Sequence, residues 1–146
     1  MHFTFVPLIA GILGVVGCLG SMLLPRVLGL AHVDVVRASG EFLTKKYETA
    51  LVPGLVLHLV RGIALAYVYY AICAFVPLPM NGLTGSFYGL VLGAVMMLFV
   101  GIAVVEHHPD KRFQRRGVMT GVVQIIGNGI FGLIVGWLCG AWAPLH

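Results

Sequence analysis

Four long runs of apolar residues dominate the chain, and each is long enough to cross a lipid bilayer as a helix. The runs cover residues 5–24, 53–76, 83–105 and 118–141. A transmembrane helix needs about 20 mostly apolar residues to cross about 30 Å of hydrocarbon. Because the bilayer core offers no partner for backbone polar groups, such segments are expected to be helical. The pattern predicts an all-α integral membrane protein, a four-helix bundle that forms a single domain over residues 1–146.

A different periodicity occupies residues 31–50, between the first and second runs. Apolar or small residues recur there at spacings of three and four, and charged residues take the other faces. The recurring positions are Val33, Val36, Gly40, Leu43, Tyr47 and Ala50. Glu41 lies four residues from both Arg37 and Lys45, the spacing of helical ion pairs. The pattern predicts an amphipathic cytoplasmic helix, either a surface connector or a helix docked on the membrane or on a partner.

The composition supports a membrane protein and excludes several other classes. Of the 146 residues, 60% are hydrophobic and 10% are charged, and the mean hydropathy is +1.02. A soluble domain carries about 25% charged residues. An ordinary soluble enzyme, a disordered tail and a nucleic-acid-binding module are therefore excluded, although the net charge is +4. Membrane lipid is the expected surrounding.

The basic residues outside the apolar runs lie in only two of the connecting segments. Four follow the first run and four follow the third: Arg26, Arg37, Lys45, Lys46, Lys111, Arg112, Arg115 and Arg116. The N-terminal tail, residues 77–82 and the C-terminal tail contain neither Lys nor Arg. Since Lys and Arg are enriched in cytoplasmic loops, we expect both termini on the outer side. We recognise no targeting peptide, so the bacterial inner membrane is the expected location.

Four polar residues inside the apolar runs are predicted to form one cluster. Arg61 lies near the middle of the second run, and His58 precedes it by about one helical turn. Gln124 and Asn128 lie four residues apart at a similar depth in the fourth run. A charge at mid-membrane costs at least about 2.5 kcal/mol, so Arg61 is expected to face a partner or a polar cavity. If the second and fourth helices touch, all four side chains meet inside the bundle.

This polar cluster has two interpretations. It is a binding site for an anionic group, a carbonyl or a quinone head, or it is a set of interhelical hydrogen bonds. Such bonds average about 0.6 kcal/mol in membranes, so they fix the register of helices more than they stabilise them. The apolar runs contain neither Asp nor Glu, which argues against a proton-coupled transporter or a cation site.

Glycines spaced four residues apart form a row on each of the last two apolar runs. The rows are Gly85, Gly89 and Gly93 on the third run and Gly132, Gly136 and Gly140 on the fourth. Small residues at this spacing allow helix backbones to approach closely. We interpret both rows as helix-packing interfaces, either within the chain or with another membrane subunit or a second copy.

The second and fourth runs resemble each other weakly. Gly54, Val56, Gly62 and Ile63 each have an identical residue 67 positions later. Both runs follow a basic segment, so the two helix pairs have one orientation. This similarity predicts two parallel helix-pair repeats, as found in some transporters, or is a chance match between glycine-rich helices.

Metal, cofactor and catalytic chemistry have little support in the sequence. His107 and His108 are adjacent and therefore point apart on a helix, with only His32 as a further nearby ligand, whereas zinc sites need three or four converging ligands. His58 is the only histidine well inside an apolar run, so paired haem ligation within one chain is not expected. We therefore expect no metal, no cofactor and no catalytic residue.

Three functions remain open at this stage. The favoured one is a non-catalytic integral membrane subunit that packs within a larger membrane protein complex, because close-packing faces are abundant and catalytic groups are lacking. The second is a small homo-oligomeric transporter or channel for an anionic or polar solute. The third is a quinone- or cofactor-binding membrane redox subunit, and it depends on His58 and Arg61 alone.

Overall fold

The computed structural model describes residues 5–29, 34–76, 78–100 and 118–143. Within these ranges the chain forms five helices and no strand. The helices are α1 (Val6–Val27), α2 (Val35–Thr44), α3 (Leu51–Phe75), α4 (Gly82–Val100) and α5 (Val118–Trp142). The predicted all-α class is confirmed for this part of the chain.

Three of the helices are long and apolar enough to cross a membrane. The spanning segments are Val6–Pro25, Leu51–Phe75 and Thr120–Trp142. A fourth apolar segment, Gly82–Leu98, is shorter, and residues 101–105 of the predicted third run lie outside the described ranges. The structure therefore supports a membrane protein with transmembrane helices.

Local capping explains where the helices end and begin again. α1 continues slightly beyond its predicted end at residue 24, and it is followed by Gly29, whose φ of 66° suits a glycine at a helix C-terminus. α2 begins after Asp34, whose carboxylate accepts a hydrogen bond from the backbone N–H of Arg37 at 3.0 Å. The Oδ1 of Asn81 accepts the N–H groups of Leu83 and Thr84 at 2.9 and 3.0 Å at the start of α4. Side-chain oxygens of this kind are the usual N-terminal caps.

α2 is shorter than the helix predicted over residues 31–50. It ends at Thr44 because Lys45 adopts the left-handed conformation with φ 56°. Residues 31–33 lie outside the described ranges. Neither predicted ion pair of Glu41 forms within the described ranges, since Arg37 pairs with Asp34 at 3.4 Å and Lys45 lies beyond the helix.

The buried face of α2 also differs from the prediction. The buried residues are Val35, Ala38, Gly40 and Glu41, whereas Leu43 is 63% exposed. The backbone of α2 approaches the start of α3 closely, since a Cβ on Gly40 would collide with the carbonyl oxygen of Ala50. This close approach determines which face of α2 is buried. Gly40, rather than a large apolar residue, therefore makes the close contact with the start of α3.

α5 is the central helix of the molecule. It packs against α4 on one side and against α1 on the other, α1 also packs against α3, and α2 packs on α3. The core consists of residues from α1, α3 and α5: Ala10, Val15, Cys18, Ala66, Tyr69, Cys73, Phe131, Val135, Leu138 and Cys139. The close contacts run in opposite chain directions, so the neighbouring long helices are antiparallel.

The two predicted glycine rows face each other along the contact between α4 and α5. A Cβ on Gly85 would collide with the carbonyl oxygen of Gly132, and one on Gly89 would collide with that of Asn128. A Cβ on Gly136 would collide with the carbonyl oxygen of Asn81, and one on Gly140 with that of Met80. Both rows are thus used within one chain.

Gly93 completes the contact at the other end of its row. A Cβ there would lie 3.0 Å from the Asn128 Cβ and 3.0 Å from the Ile125 Cα. On α1, a Cβ on Gly14 would lie 2.7 Å from the Phe131 ring, so this face of α1 is also occupied by α5.

Two tyrosines connect α3 with α4. The Tyr88 hydroxyl donates to the carbonyl oxygen of Leu65 at 3.1 Å, and the Tyr69 hydroxyl lies 3.1 Å from the Thr84 hydroxyl. The two tyrosine rings are tilted, with centroids 5.3 Å apart. Tyrosines are used here because their rings fill an apolar gap while their hydroxyls find partners.

Candidate functional site

The four residues of the predicted polar cluster lie at the inner faces of α3 and α5. His58, Gln124 and Asn128 are buried, and Arg61 is partly buried. The Nη2 of Arg61 lies 3.1 Å from the Nδ1 of His58. Because a guanidinium can only donate, His58 accepts at Nδ1, and a neutral His58 carries its proton on Nε2.

His58, Arg61 and Asn128 line one small void between α1, α3 and α5. Its volume is about 10 Å³, and Cys18 and Leu19 are among its other lining residues. A void needs about 10–15 Å³ to hold one water molecule. These three side chains therefore pack around a space of about one water molecule, not around a space for a ligand.

The predicted repeat gives Arg61 and Asn128 equivalent positions, 67 residues apart. Both line this same void, one from α3 and one from α5. The repeat itself stays a prediction.

Gln124 is adjacent to this cluster but belongs to a different space. The Asn128 Nδ2 donates to the backbone carbonyl oxygen of Gln124 at 2.8 Å, so one turn of α5 joins the two residues. The Gln124 side chain instead lines a second, larger cavity. The structure thus brings three of the four predicted residues together and places the fourth beside them.

The larger cavity has a volume of about 470 Å³, within the range of about 300–1,000 Å³ that is typical of small-molecule sites. It lies between the last turns of α1, the start of α2 and the first turns of α3 and α5. The lining residues are Val16, Leu19, Gly20, Met22, Leu23, Asp34, Val35, Val36, Leu51, Leu55, Thr120, Val123 and Gln124. It is therefore mostly apolar, with polar side chains contributed by Asp34, Thr120 and Gln124.

Two of these polar side chains carry unused hydrogen-bonding groups. Gln124 is 1% exposed and Thr120 is 4% exposed. The amide Oε1 and Nε2 of Gln124 and the Oγ1 of Thr120 have no hydrogen-bond partner among the residues that the structure describes. A buried polar group without a partner costs about 1–3 kcal/mol. These two side chains are the strongest indication of a ligand site.

Asp34 is different, because its carboxylate is already engaged. One oxygen accepts the backbone N–H of Arg37 at 3.0 Å, and the other lies 3.4 Å from the Arg37 Nε. The Arg37 guanidinium also donates to the Tyr47 carbonyl oxygen at 3.0 Å. The charge of Asp34 is thus compensated at the edge of the cavity.

Leu19 separates the two spaces. It lines both the large cavity and the void beside Arg61.

The sequence analysis did not identify Thr120, Leu19 or Asp34 as residues of a cavity. Thr120 continues the four-residue spacing of Gln124 and Asn128 on α5. That row of polar residues was the one signal that could have indicated Thr120, whereas nothing local marks Leu19 or Asp34.

No group of three or more potential metal ligands occurs in the ranges that the structure describes. His32, His107 and His108, the residues considered for a metal, lie outside those ranges. Comparison of the chain with protein-family models, curated proteins and solved structures found no match.

Proposed function

We propose that the chain is a four-span protein of the bacterial inner membrane, with both termini on the outer side. The antiparallel packing of neighbouring helices supports this topology, since consecutive spans must alternate in direction. α4 contacts α5 from Gly85 to Gly93, so it lies at the depth of a helix that is long enough to span. The basic segments then lie at the cytoplasmic end, together with the large cavity.

We further propose that the protein is a small transporter or carrier for a polar solute. One observation carries this proposal: Thr120 and Gln124 line the 470 Å³ cavity, and their polar side-chain atoms are buried without a hydrogen-bond partner among the described residues. Buried polar groups without partners cost stability, and a cost of this kind is typical of functional positions. The cavity supplies the space for a solute that would satisfy these polar groups.

The cavity and the polar cluster together give a route into the bilayer interior. The cavity lies at the proposed cytoplasmic end, and among the described residues Leu19 alone lines both it and the void beside Arg61. In this proposal Thr120 and Gln124 hold the solute, and a rotamer change of Leu19 opens the way towards His58, Arg61 and Asn128. While Leu19 separates the two spaces, these three residues fix the register of α3 relative to α5.

The accessory-subunit hypothesis stays an alternative, since it also rests on the lack of catalytic groups. One of its reasons was the abundance of close-packing faces, and the glycine rows on α4 and α5 pack against each other. The redox-subunit hypothesis depended on His58 and Arg61, which line a void of only about 10 Å³. The hydrogen-bond donors of Thr120 and Gln124 would also suit a quinone carbonyl. Neither hypothesis explains the cavity and its unpaired groups together as directly as solute binding does.

An efflux experiment tests the proposal. Purified protein is reconstituted into liposomes loaded with the low-molecular-weight extract of its host cells, and the external solution is analysed by mass spectrometry. We expect at least one solute to leave these liposomes faster than protein-free ones. The Gln124→Leu variant should slow that efflux at least about tenfold, the effect of losing about 1.4 kcal/mol of binding.

The matched control is Thr49→Val, a substitution at an exposed residue in the connection between α2 and α3. It should leave the efflux unchanged. Efflux profiles identical to those of protein-free liposomes would contradict a transport function.

A further inference from the structure

We propose that the large cavity binds a neutral amphipathic molecule, with a head of hydroxyl and carbonyl groups at Thr120 and Gln124 and an apolar body beside α1 and α3. This inference rests on the proposed function and narrows the solute from any polar molecule to this class. It is carried by the chemistry of the lining and by the exposure of its apolar wall.

The unpaired groups define the head of the ligand. The Gln124 amide offers a donor at Nε2 and an acceptor at Oε1, and the Thr120 hydroxyl offers both. Neither side chain is charged, so the matching head contains donors and acceptors without a net charge. Hydroxyl groups next to a carbonyl group meet this requirement.

The charges near the cavity do not favour an ionic head. The Asp34 carboxylate is paired with Arg37, and the described lining residues include neither Lys nor Arg, so an anionic head would find no cation to pair with. Arg61 lines only the water-sized void on the far side of Leu19, so its guanidinium is not available in the cavity. A cation would find no free carboxylate among the described lining residues, since Asp34 is the one acid among them.

The rest of the lining defines the body of the ligand. Five of the other lining residues are aliphatic: Leu19, Leu23, Val35, Leu51 and Leu55. Apolar surface of this kind binds a hydrocarbon chain by removing it from water, at about 25 cal/mol per Å².

Part of the apolar wall of the cavity is accessible. Val16 and Leu23 line the cavity and are 61% and 57% exposed, so their aliphatic surface is free to contact a ligand. This exposed apolar wall suits an amphipathic molecule better than a solute that is polar throughout.

Binding of three probes with one chain length tests the inference. The probes are 1-octanoylglycerol, octanoate and octylamine, and the protein is held in lipid nanodiscs so that detergent does not compete. Unfolding is followed with a thiol-reactive dye, because Cys18, Cys73 and Cys139 are all buried in the folded protein. We expect 1-octanoylglycerol alone to raise the unfolding midpoint, by about 5 °C at a concentration of about 100 Kd.

Variants identify the groups that hold the head. Thr120→Val and Gln124→Leu should each weaken the binding of 1-octanoylglycerol at least about tenfold, and Thr49→Val should leave it unchanged. The same unfolding curves show that each variant is folded. Equal binding of 1-octanoylglycerol by all these proteins would overturn the assignment of the head.

The outcome also separates this inference from the proposed function. If octanoate or octylamine binds instead, and Gln124→Leu abolishes that binding, the ligand class is wrong but a solute site at the cavity survives. If none of the three probes binds to the wild-type protein, the amphipathic ligand class is contradicted, and the efflux experiment alone decides the proposed function.

A second arm distinguishes a free amphipath from a bilayer lipid, whose glycerol ester region has the same carbonyl chemistry. Without any probe, the protein is compared in nanodiscs of diester and of diether phosphatidylcholine. A higher midpoint in the diester discs that disappears in Gln124→Leu identifies the bilayer lipid as the ligand. Equal midpoints, together with a shift on adding 1-octanoylglycerol, identify a free amphipath.

Discussion

Single residues decide where this chain departs from simple apolar packing. His58, Thr120, Gln124 and Asn128 are buried in a protein with 60% hydrophobic residues. His58 and Asn128 each make a hydrogen bond to a neighbouring residue, although the Nε2 of His58 has no partner among the described residues. The side chains of Thr120 and Gln124 lack any partner within the part of the chain that the structure describes, and a stability cost of this kind is typical of functional positions.

Replacing Gln124 by leucine should therefore stabilise the empty protein. Leucine has a similar volume and removes a buried amide whose desolvation is not compensated, so the free energy of unfolding should rise by about 1–2 kcal/mol. Thermal unfolding of the ligand-free protein in nanodiscs measures the change, with Thr49→Val as the control. A clear loss of stability in Gln124→Leu would show that the amide already has structural partners.

Arg61 should matter less for binding than Gln124. The void that Arg61 lines has a volume of only about 10 Å³, so removing the guanidinium takes no contact from a ligand in the larger cavity. In Arg61→Leu the Kd for 1-octanoylglycerol should stay within about threefold of wild type, less than the effect of one hydrogen bond. Titration of both variants makes the comparison, and an equal loss of affinity in Arg61→Leu would move the ligand site to the polar cluster.

At the scale of helices, close approach between backbones organises the molecule. The glycine rows of α4 and α5 face each other, and Gly40 lets α2 reach the start of α3. The approximate extents of α1, α3 and α5 could be predicted from apolar run length, because the bilayer imposes it. The buried face of α2 could not, since it depends on which backbone surfaces meet and not on apolar periodicity.

Alanine at Gly89 should disrupt the contact between α4 and α5. Its Cβ would collide with the carbonyl oxygen of Asn128, so the helices must separate, at a cost of about 1–3 kcal/mol. The matched control is Gly82→Ala in the same helix, where the nearest atom would lie 3.8 Å away. Thermal unfolding should show a lower midpoint for Gly89→Ala only.

Size-exclusion chromatography of the same variants tests the alternative use of the glycine row. If Gly89→Ala unfolds like wild type but changes the oligomeric state, the row faces another subunit and the intramolecular contact is not its role.

At the scale of the whole molecule, the sequence predicts the class of protein better than its site. Composition and the length of the apolar runs are sufficient to predict an all-helical membrane protein, because the bilayer determines how long and how apolar a spanning segment must be. The cavity could not be predicted, since it forms where α1, α2, α3 and α5 leave a gap that only their three-dimensional packing creates. Gln124 was identified from its polarity, but its separation from Arg61 by Leu19 is a property of the packed molecule.

The proposed orientation predicts which loops face the cytoplasm. Leu78 and Lys46 are exposed and lie at opposite ends of α3. A membrane-impermeant maleimide added to spheroplasts should label Leu78→Cys, whereas Lys46→Cys should react only after permeabilisation. The natural cysteines Cys18, Cys73 and Cys139 are buried, so they should contribute little background labelling. The reverse pattern would contradict both the orientation and the cytoplasmic location of the cavity.

The central claim is that the chain is a self-contained membrane protein with a small-molecule cavity in its interior. Native mass spectrometry of the protein, extracted from its host membrane in mild detergent, tests this claim most directly. We predict the chain alone or as copies of itself, carrying a small molecule that is absent from the Thr120→Val, Gln124→Leu double variant. Unrelated protein chains in a fixed ratio, with no small molecule retained, would contradict the claim and support an accessory subunit of a larger complex.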